Sequence, residues 1–267
     1  MMMKFIAKGS LAAALVGGLL AATYGCDQPK PKCAAGRVAF VGVYKNSSGG
    51  ADCAKLKGDT LGISTYNAPG KEGKPNLDIA SIAIQSESLG GLVADSKSAG
   101  AADKDPTHKP YAIGFFSTAE PEGDFCAVPT LTVATQNIPA IAADPDNKVK
   151  AAPATSVSYT WSNAKFYVTS SALGTQFTAD LTITTDGKAC GYSVLGLSPA
   201  VPCGKDNPAS TEDKPLPKLP DVAACAPEAD EDAGRPTGSG INPDFPTRCD
   251  PELLLCVLTK DTIPALK

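Results

Sequence analysis

The stretch Ser156 to Leu197 constrains the fold most, because its apolar residues keep a period of two. In VSYTWS, Val157, Tyr159 and Trp161 fall on one face and Ser158, Thr160 and Ser162 on the other. Ser162-Asn163-Ala164 has the composition of a tight turn, after which AKFYVTS resumes the alternation with Phe166 and Val168. Leu173-Gly174 marks another reversal. TQFTADLTITT then sets Phe177, Ala179, Leu181 and Ile183 against Thr178, Asp180, Thr182 and Thr184. Asp186-Gly187 is a type I′ hairpin signal, since both central residues need positive φ. With ACGYSVLGL the stretch predicts a four-stranded antiparallel meander. Its alternation makes Tyr159 and Trp161 core residues and leaves Tyr167, on the Lys165 face, open to solvent.

Similar short runs precede it: residues 37–46, 61–67, 77–86, 111–118 and 129–137, separated by clusters of Gly, Pro, Asp and Lys. Nine or so short strands, with 23 prolines and 25 glycines in the chain, predict an all-β protein, an antiparallel β-sandwich or barrel-like domain over residues 37–203. ADCAKLKG suits one helical turn, and LGGLVADSKSAGAADK fits a short helix or a loop equally well.

From Gly204 the character changes to Pro, Asp and Glu with few apolar residues, so residues 204–267 are expected to be irregular and tied down by cysteines. The end, CDPELLLCVLTKDTIPAL, is apolar again and is expected to dock on the β domain. Nine cysteines leave one thiol over in an oxidising compartment. Setting Cys26 aside leaves Cys33, Cys53, Cys126, Cys190, Cys203, Cys225, Cys249 and Cys256 as disulfide candidates, with the connectivity open. Cys249 and Cys256 would stand roughly 10.5 Å apart along a helix, so pairing them with each other would require a loop.

Cys26 is set aside for what precedes it. Lys4 and Lys8 are followed by LAAALVGGLLAA, 12 residues without a charge. That is signal-peptide length, short of the roughly 20 residues that span a bilayer. Thr-Tyr-Gly-Cys (residues 23–26) resembles the lipobox of bacterial lipoproteins, with cleavage between Gly25 and Cys26. Thr23 stands where leucine is usual and Tyr24 is bulky. The resemblance implies a diacylglycerol and an acyl chain such as palmitate on Cys26, and several chains together hold a protein stably at a membrane. Residues 1–25 thus read as a lipoprotein signal peptide and 26–36 as the lipidated cysteine with a proline-bearing tether. Asp27 resembles the inner-membrane retention signal of enteric lipoproteins, a rule that does not transfer well to other bacterial groups. The expected address is a cell membrane, the outer favoured over the inner.

Removing Lys4 and Lys8 leaves 22 basic against 28 acidic residues, a net charge of −6 without a basic cluster, which argues against nucleic-acid partners. Catalytic signatures are sparse. The single histidine, His108, sits in the polar loop DKDPTHKPY, unsuited to a packed Ser-His-Asp or Cys-His site. Ser162 and Lys165 match SxxK, but in a turn and without SDN or KTG companions. No CxxC or HExxH suggests zinc. Asp144-Pro-Asp146-Asn147 and Glu228-Ala-Asp230-Glu231-Asp232 offer oxygen ligands without EF-hand spacing. The expectation is no catalytic residue, no metal and no cofactor.

SYTWSNAKFYV, GTQFTADLTITTDGKACGYSVLGLSPAVPC and GSGINPDFPTRCDPELLLC resemble the cysteine-rich, lipobox-anchored envelope lipoproteins of myxobacteria, most closely from Ser156 onward. The resemblance implies an envelope lipoprotein and transfers no catalytic residue. The leading expectation is a non-enzymatic protein with a binding or structural role, its partner an envelope protein or polysaccharide. The alternative is a lipid-anchored hydrolase acting through paired carboxylates on envelope or extracellular polymers.

Overall fold

The computed structural model describes residues 30–98, 109–143, 146 and 150–267. Nine strands form one antiparallel sheet: β1 (Phe40–Ser48), β2 (Gly58–Pro69), β3 (Pro75–Ser86), β4 (Ala112–Phe115), β5 (Phe125–Thr130), β6 (Ala134–Ile138), β7 (Thr155–Val168), β8 (Leu173–Thr185) and β9 (Lys188–Leu197). Their order is β4-β3-β2-β1-β9-β8-β7-β5, with β6 also on β7. The sheet curls until its ends meet, where Gly114 bridges Leu131 and the Thr132 N–H donates to the Ile113 carbonyl at 2.8 Å. Of the two all-β architectures the alternation allows, the single barrel-like sheet is formed. The deciding pairing joins β1 to β9, from Val41–Leu197 to Ser48–Gly191, and it is invisible to local pattern.

The expected turn at Ser162-Asn163-Ala164 is instead a bulge inside one 14-residue strand, so the meander has three strands, not four. Asn163 takes φ 52°, a left-handed conformation that asparagine tolerates, and its side-chain amide donates to Asp180 Oδ2 at 2.8 Å. The bulge shifts the side-chain phase: Val157, Tyr159 and Trp161 point inward before it, Ala164, Phe166 and Val168 after it. The run 129–137 likewise divides, because β5 pairs with residues 162–167 of β7 and β6 with 155–159. The chain reverses at Thr169–Ala172, just before β8. Asp186 and Gly187, at φ 49° and 80°, form the β8–β9 turn.

The barrel encloses an aromatic core. Phe177 stacks on Phe166 at 5.1 Å and meets Phe40 edge-on at 5.6 Å, while Trp161 is 1% exposed. Residue 196 must be glycine here, since a Cβ would lie 1.9 Å from Phe177 Cε1. Cys53–Lys55 makes a single 3-10 turn, and α1 (Glu87–Ser98) forms where helix and loop were both open. Ser86 Oγ accepts from the Leu89 N–H at 3.1 Å and Asp59 Oδ2 from the Ser88 N–H at 3.2 Å. These caps satisfy otherwise orphaned amides, and buried Leu89 plugs the barrel.

Beyond β9 the chain wraps the barrel's outer face. It holds two short ladders, β10 (Gly204–Lys205) with β11 (Leu219–Pro220) and β12 (Thr247–Cys249) with β13 (Cys256–Leu258). Cys249 and Cys256 stand opposite each other in the second ladder, yet each bonds elsewhere, in Cys203–Cys249 and Cys225–Cys256. The other bridges are Cys33–Cys126 and Cys53–Cys190. Ile241, Phe245, Val257, Leu258 and Ala265 pack on Val41, Tyr167 and Leu197 as a second apolar cluster. Tyr167 is therefore buried, contrary to the sequence expectation, because this segment covers the Lys165 face beside it.

Candidate functional site

The face of the barrel where the chain enters and the C-terminal segment folds back carries a cleft of about 770 Å³. Its walls come from four places: residues 34–38 before β1, residues 171–175 at the head of β8, Ser198-Pro199 after β9, and Gly240 with Asn242. Backbone bonds fix these segments: Gly36 N–H to the Gly174 carbonyl at 2.9 Å, Ser198 N–H to the Thr175 carbonyl at 2.8 Å, Ala200 N–H to the Ala39 carbonyl at 2.7 Å. The Asn242 side-chain amide donates to the Ser171 carbonyl at 2.8 Å, tying the C-terminal wall to the barrel.

The floor is chemically unusual. Thr175 Oγ1 and Ser198 Oγ are buried without a hydrogen-bond partner, two of four such side-chain atoms among the described residues. Leaving buried polar groups unpaired costs about 1–3 kcal/mol each, so their convergence asks for an explanation. Arg37, exposed at the rim, is the sole charged residue of the lining, and no ion pair or hydrogen bond ties it among the described residues. Sequence reading missed all three. Ser198 and Thr175 carry no motif, and only the β1–β9–β8 pairing brings residues 36, 175 and 198 together.

A second polar group lies at the α1 end of the barrel. Ser86 Oγ donates to Asp59 Oδ2 at 2.5 Å, beside Tyr44, Tyr159 and Tyr192. Burial first, then the charge of Asp59, pushes the Tyr44 hydroxyl well above its ordinary pKa. Asp59 caps a helix here, its Oδ2 accepting from the Ser88 N–H. A third cluster brings the sulfurs of Cys203, Cys225 and Cys256 within 4.8 Å of one another. All three are consumed in disulfides, whereas metal ligation needs free thiolates.

Among the described residues, those singled out from sequence are not gathered into one site. Residues 1–25, Gly25, Cys26, His108, Asp144 and Asn147 lie outside the described residues. Ser162 and Lys165 flank the β7 bulge in a strand, not a turn, with Ser162 opposite Asp180. In the acidic run, Asp230 pairs with Arg235 at 3.0 Å and accepts from the Ala233 N–H at 3.1 Å, closing a turn. Asp78 and Glu120 both pair with Lys32 at 3.1 Å, which raises the lysine pKa through the Asp78 and then the Glu120 hydrogen bond.

Comparison with known proteins follows the barrel closely. The family model for MlpA matches residues 37–199, more than half of the chain, from the approach to β1 to the cleft residue Pro199. The chain belongs to the MlpA family. The Myxococcus xanthus protein named "Putative lipoprotein MlpA" is 25% identical over 177 residues, covering 66% of this chain and 60% of that relative. The resemblance read from Ser156 onward thus points to the right kind of protein, but the MlpA match takes in the first half of the barrel and stops before the C-terminal wrap. No solved structure matches the chain.

Proposed function

We propose that this MlpA-family chain is a lipid-anchored protein of the bacterial envelope, attached through Cys26, whose β-barrel serves a non-enzymatic binding or structural role. The observation that carries the reading is the cysteine count. Eight of nine cysteines are engaged in four disulfides, and the ninth is Cys26, directly after Gly25 and a charge-free apolar run. Disulfides persist in oxidising compartments, which supports export. A diacylated and N-acylated Cys26 would hold the domain at the membrane, the outer one favoured, on a tether of Asp27–Lys32. The name of the M. xanthus relative supports the same class. The cleft beside Ser198, where no described side chain offers a nucleophile–base pair, supports binding over catalysis.

The experiment is metabolic labelling with palmitate followed by detergent phase partition. Wild type should label and enter the detergent phase, and Cys26→Ser should do neither. Partition of Cys26→Ser equal to wild type would overturn the anchor.

A further inference from the structure

We infer that the Gly36–Thr175–Ser198 cleft is a binding site for a small amphiphilic monoanion, an apolar chain ending in an oxyanion, with the anion against Arg37 and the two buried hydroxyls.

Three observations converge. The first is space: about 770 Å³ falls in the range of small-ligand pockets, and it sits between elements fixed by backbone bonds. The second is unmet hydrogen bonding. A Cβ built on residue 36 would stand 3.3 Å from Ser198 Oγ, 3.4 Å from Phe40 Cζ and 3.5 Å from Thr175 Cγ2, so glycine here keeps the approach to Ser198 free of a side chain. A ligand oxygen entering over Gly36 would approach a hydroxyl that has no partner among the described residues and is on a residue only 1% exposed. The third is the charge pattern. Among its described residues, a protein of net charge −4 presents in this lining one cation, Arg37, and no carboxylate. A guanidinium binds oxyanions by charge-assisted hydrogen bonds, and the hydroxyls extend that donor set inward.

The remaining lining sets the other half of the ligand. Ala34, Ala172 and Pro199 are apolar, and Val38 and Leu173 stand 55% and 56% exposed at the mouth. A hydrophilic anion such as free phosphate would leave these two side chains in water, whereas an alkyl chain covers them. The conclusion goes beyond membrane anchoring and does not depend on Cys26, which its test omits.

The test uses residues 31–267, one compact unit that contains all four disulfides. Decanoate, below its micelle concentration, is titrated by calorimetry, with amide NMR to locate the shifts and decanol as the uncharged comparison. One saturable decanoate site is expected, with shifts at Gly36, Leu173, Thr175 and Ser198 and weaker binding of decanol. Gly36→Ala, which sets a methyl 3.3 Å from Ser198 Oγ at an ordinary φ, should weaken decanoate binding about tenfold or more. Arg37→Gln, on an exposed side chain that cannot threaten the fold, should weaken decanoate about five- to tenfold and leave decanol within about twofold. If Gly36→Ala unfolds the protein, Arg37→Gln decides alone. Absence of saturable binding, shifts confined to another face, or a decanoate affinity unchanged by Arg37→Gln overturns the site. Competition by phosphatidylglycerol vesicles would uphold it with the bilayer as the source of ligand; no competition would uphold it for soluble carboxylates.

Discussion

Tyr44 and Tyr192 lie ring beside ring in the barrel, centroids 5.6 Å apart, yet their hydroxyls are treated in opposite ways. Tyr192 Oη donates to the Cys53 carbonyl at 3.0 Å, whereas Tyr44 Oη is buried without a partner. Removing a hydroxyl that makes no bond relieves a desolvation cost, and removing one that satisfies a buried carbonyl creates one. Tyr44→Phe should therefore be neutral or stabilise by about 1 kcal/mol, and Tyr192→Phe should cost about 1–2 kcal/mol, as read by urea unfolding. At alkaline pH burial makes both hydroxyls hold their protons longer than a free tyrosine, Tyr44 the more strongly. Because the folded Tyr44 holds its proton beyond the ordinary tyrosine value near 10, its neutral form stabilises the fold fully below about pH 10, and that contribution is lost as pH rises above it. The loss of stability above about pH 10 should be shallower in Tyr44→Phe than in wild type. Equal slopes would show that Tyr44 ionises as freely folded as unfolded.

At the scale of elements, the C-terminal wrap is held by an apolar cluster, two disulfides and a buried side-chain hydrogen-bond pair. Gln176, fully buried on the outward side of β8, donates to the Ala265 carbonyl at 3.1 Å and accepts from the Ala265 N–H at 2.9 Å. Cys225–Cys256 closes a separation of 31 residues, about 4 kcal/mol in a chain-entropy account. Replacing both cysteines by alanine should free residues 204–267 to proteolysis while far-UV dichroism retains the barrel's strands. Loss of the whole β signal would instead make the wrap part of the barrel's own folding unit. This division explains what sequence could read. Alternation marked the inward faces of β7 and β8 because a strand half-buried against one core imposes a period of two. It failed where a second layer covers the outer face, as at Tyr167 and Gln176, and where a bulge mimics a turn, as at Asn163. The cleft was illegible for a related reason. Gly36, Thr175 and Ser198 are united by strand pairing across more than a hundred residues, and an unpartnered hydroxyl is a property of the assembled structure.

For the molecule as a whole, covalent geometry links folding to place. Cys33–Cys126 and Cys53–Cys190 span separations of 93 and 137 residues, fastening the entry of the chain to β5 and the turn after β1 to β9. Constraints of that length restrict the unfolded chain by about 4–5 kcal/mol each, so two of them already match the stability of a typical domain, about 5–15 kcal/mol. Much of the closing of this barrel therefore depends on oxidation as well as on its core. It follows that residues 31–267 should melt as a cooperative, oxidised protein, while a sample refolded in excess reductant should show no cooperative transition by calorimetry above room temperature. Such a chain would not persist folded in a reducing cytoplasm, and export would then be a condition of its structure as well as its address. A reduced protein that still unfolds cooperatively, with a midpoint within about 5 °C of the oxidised one, would break that link and leave the barrel stabilised by its aromatic core alone.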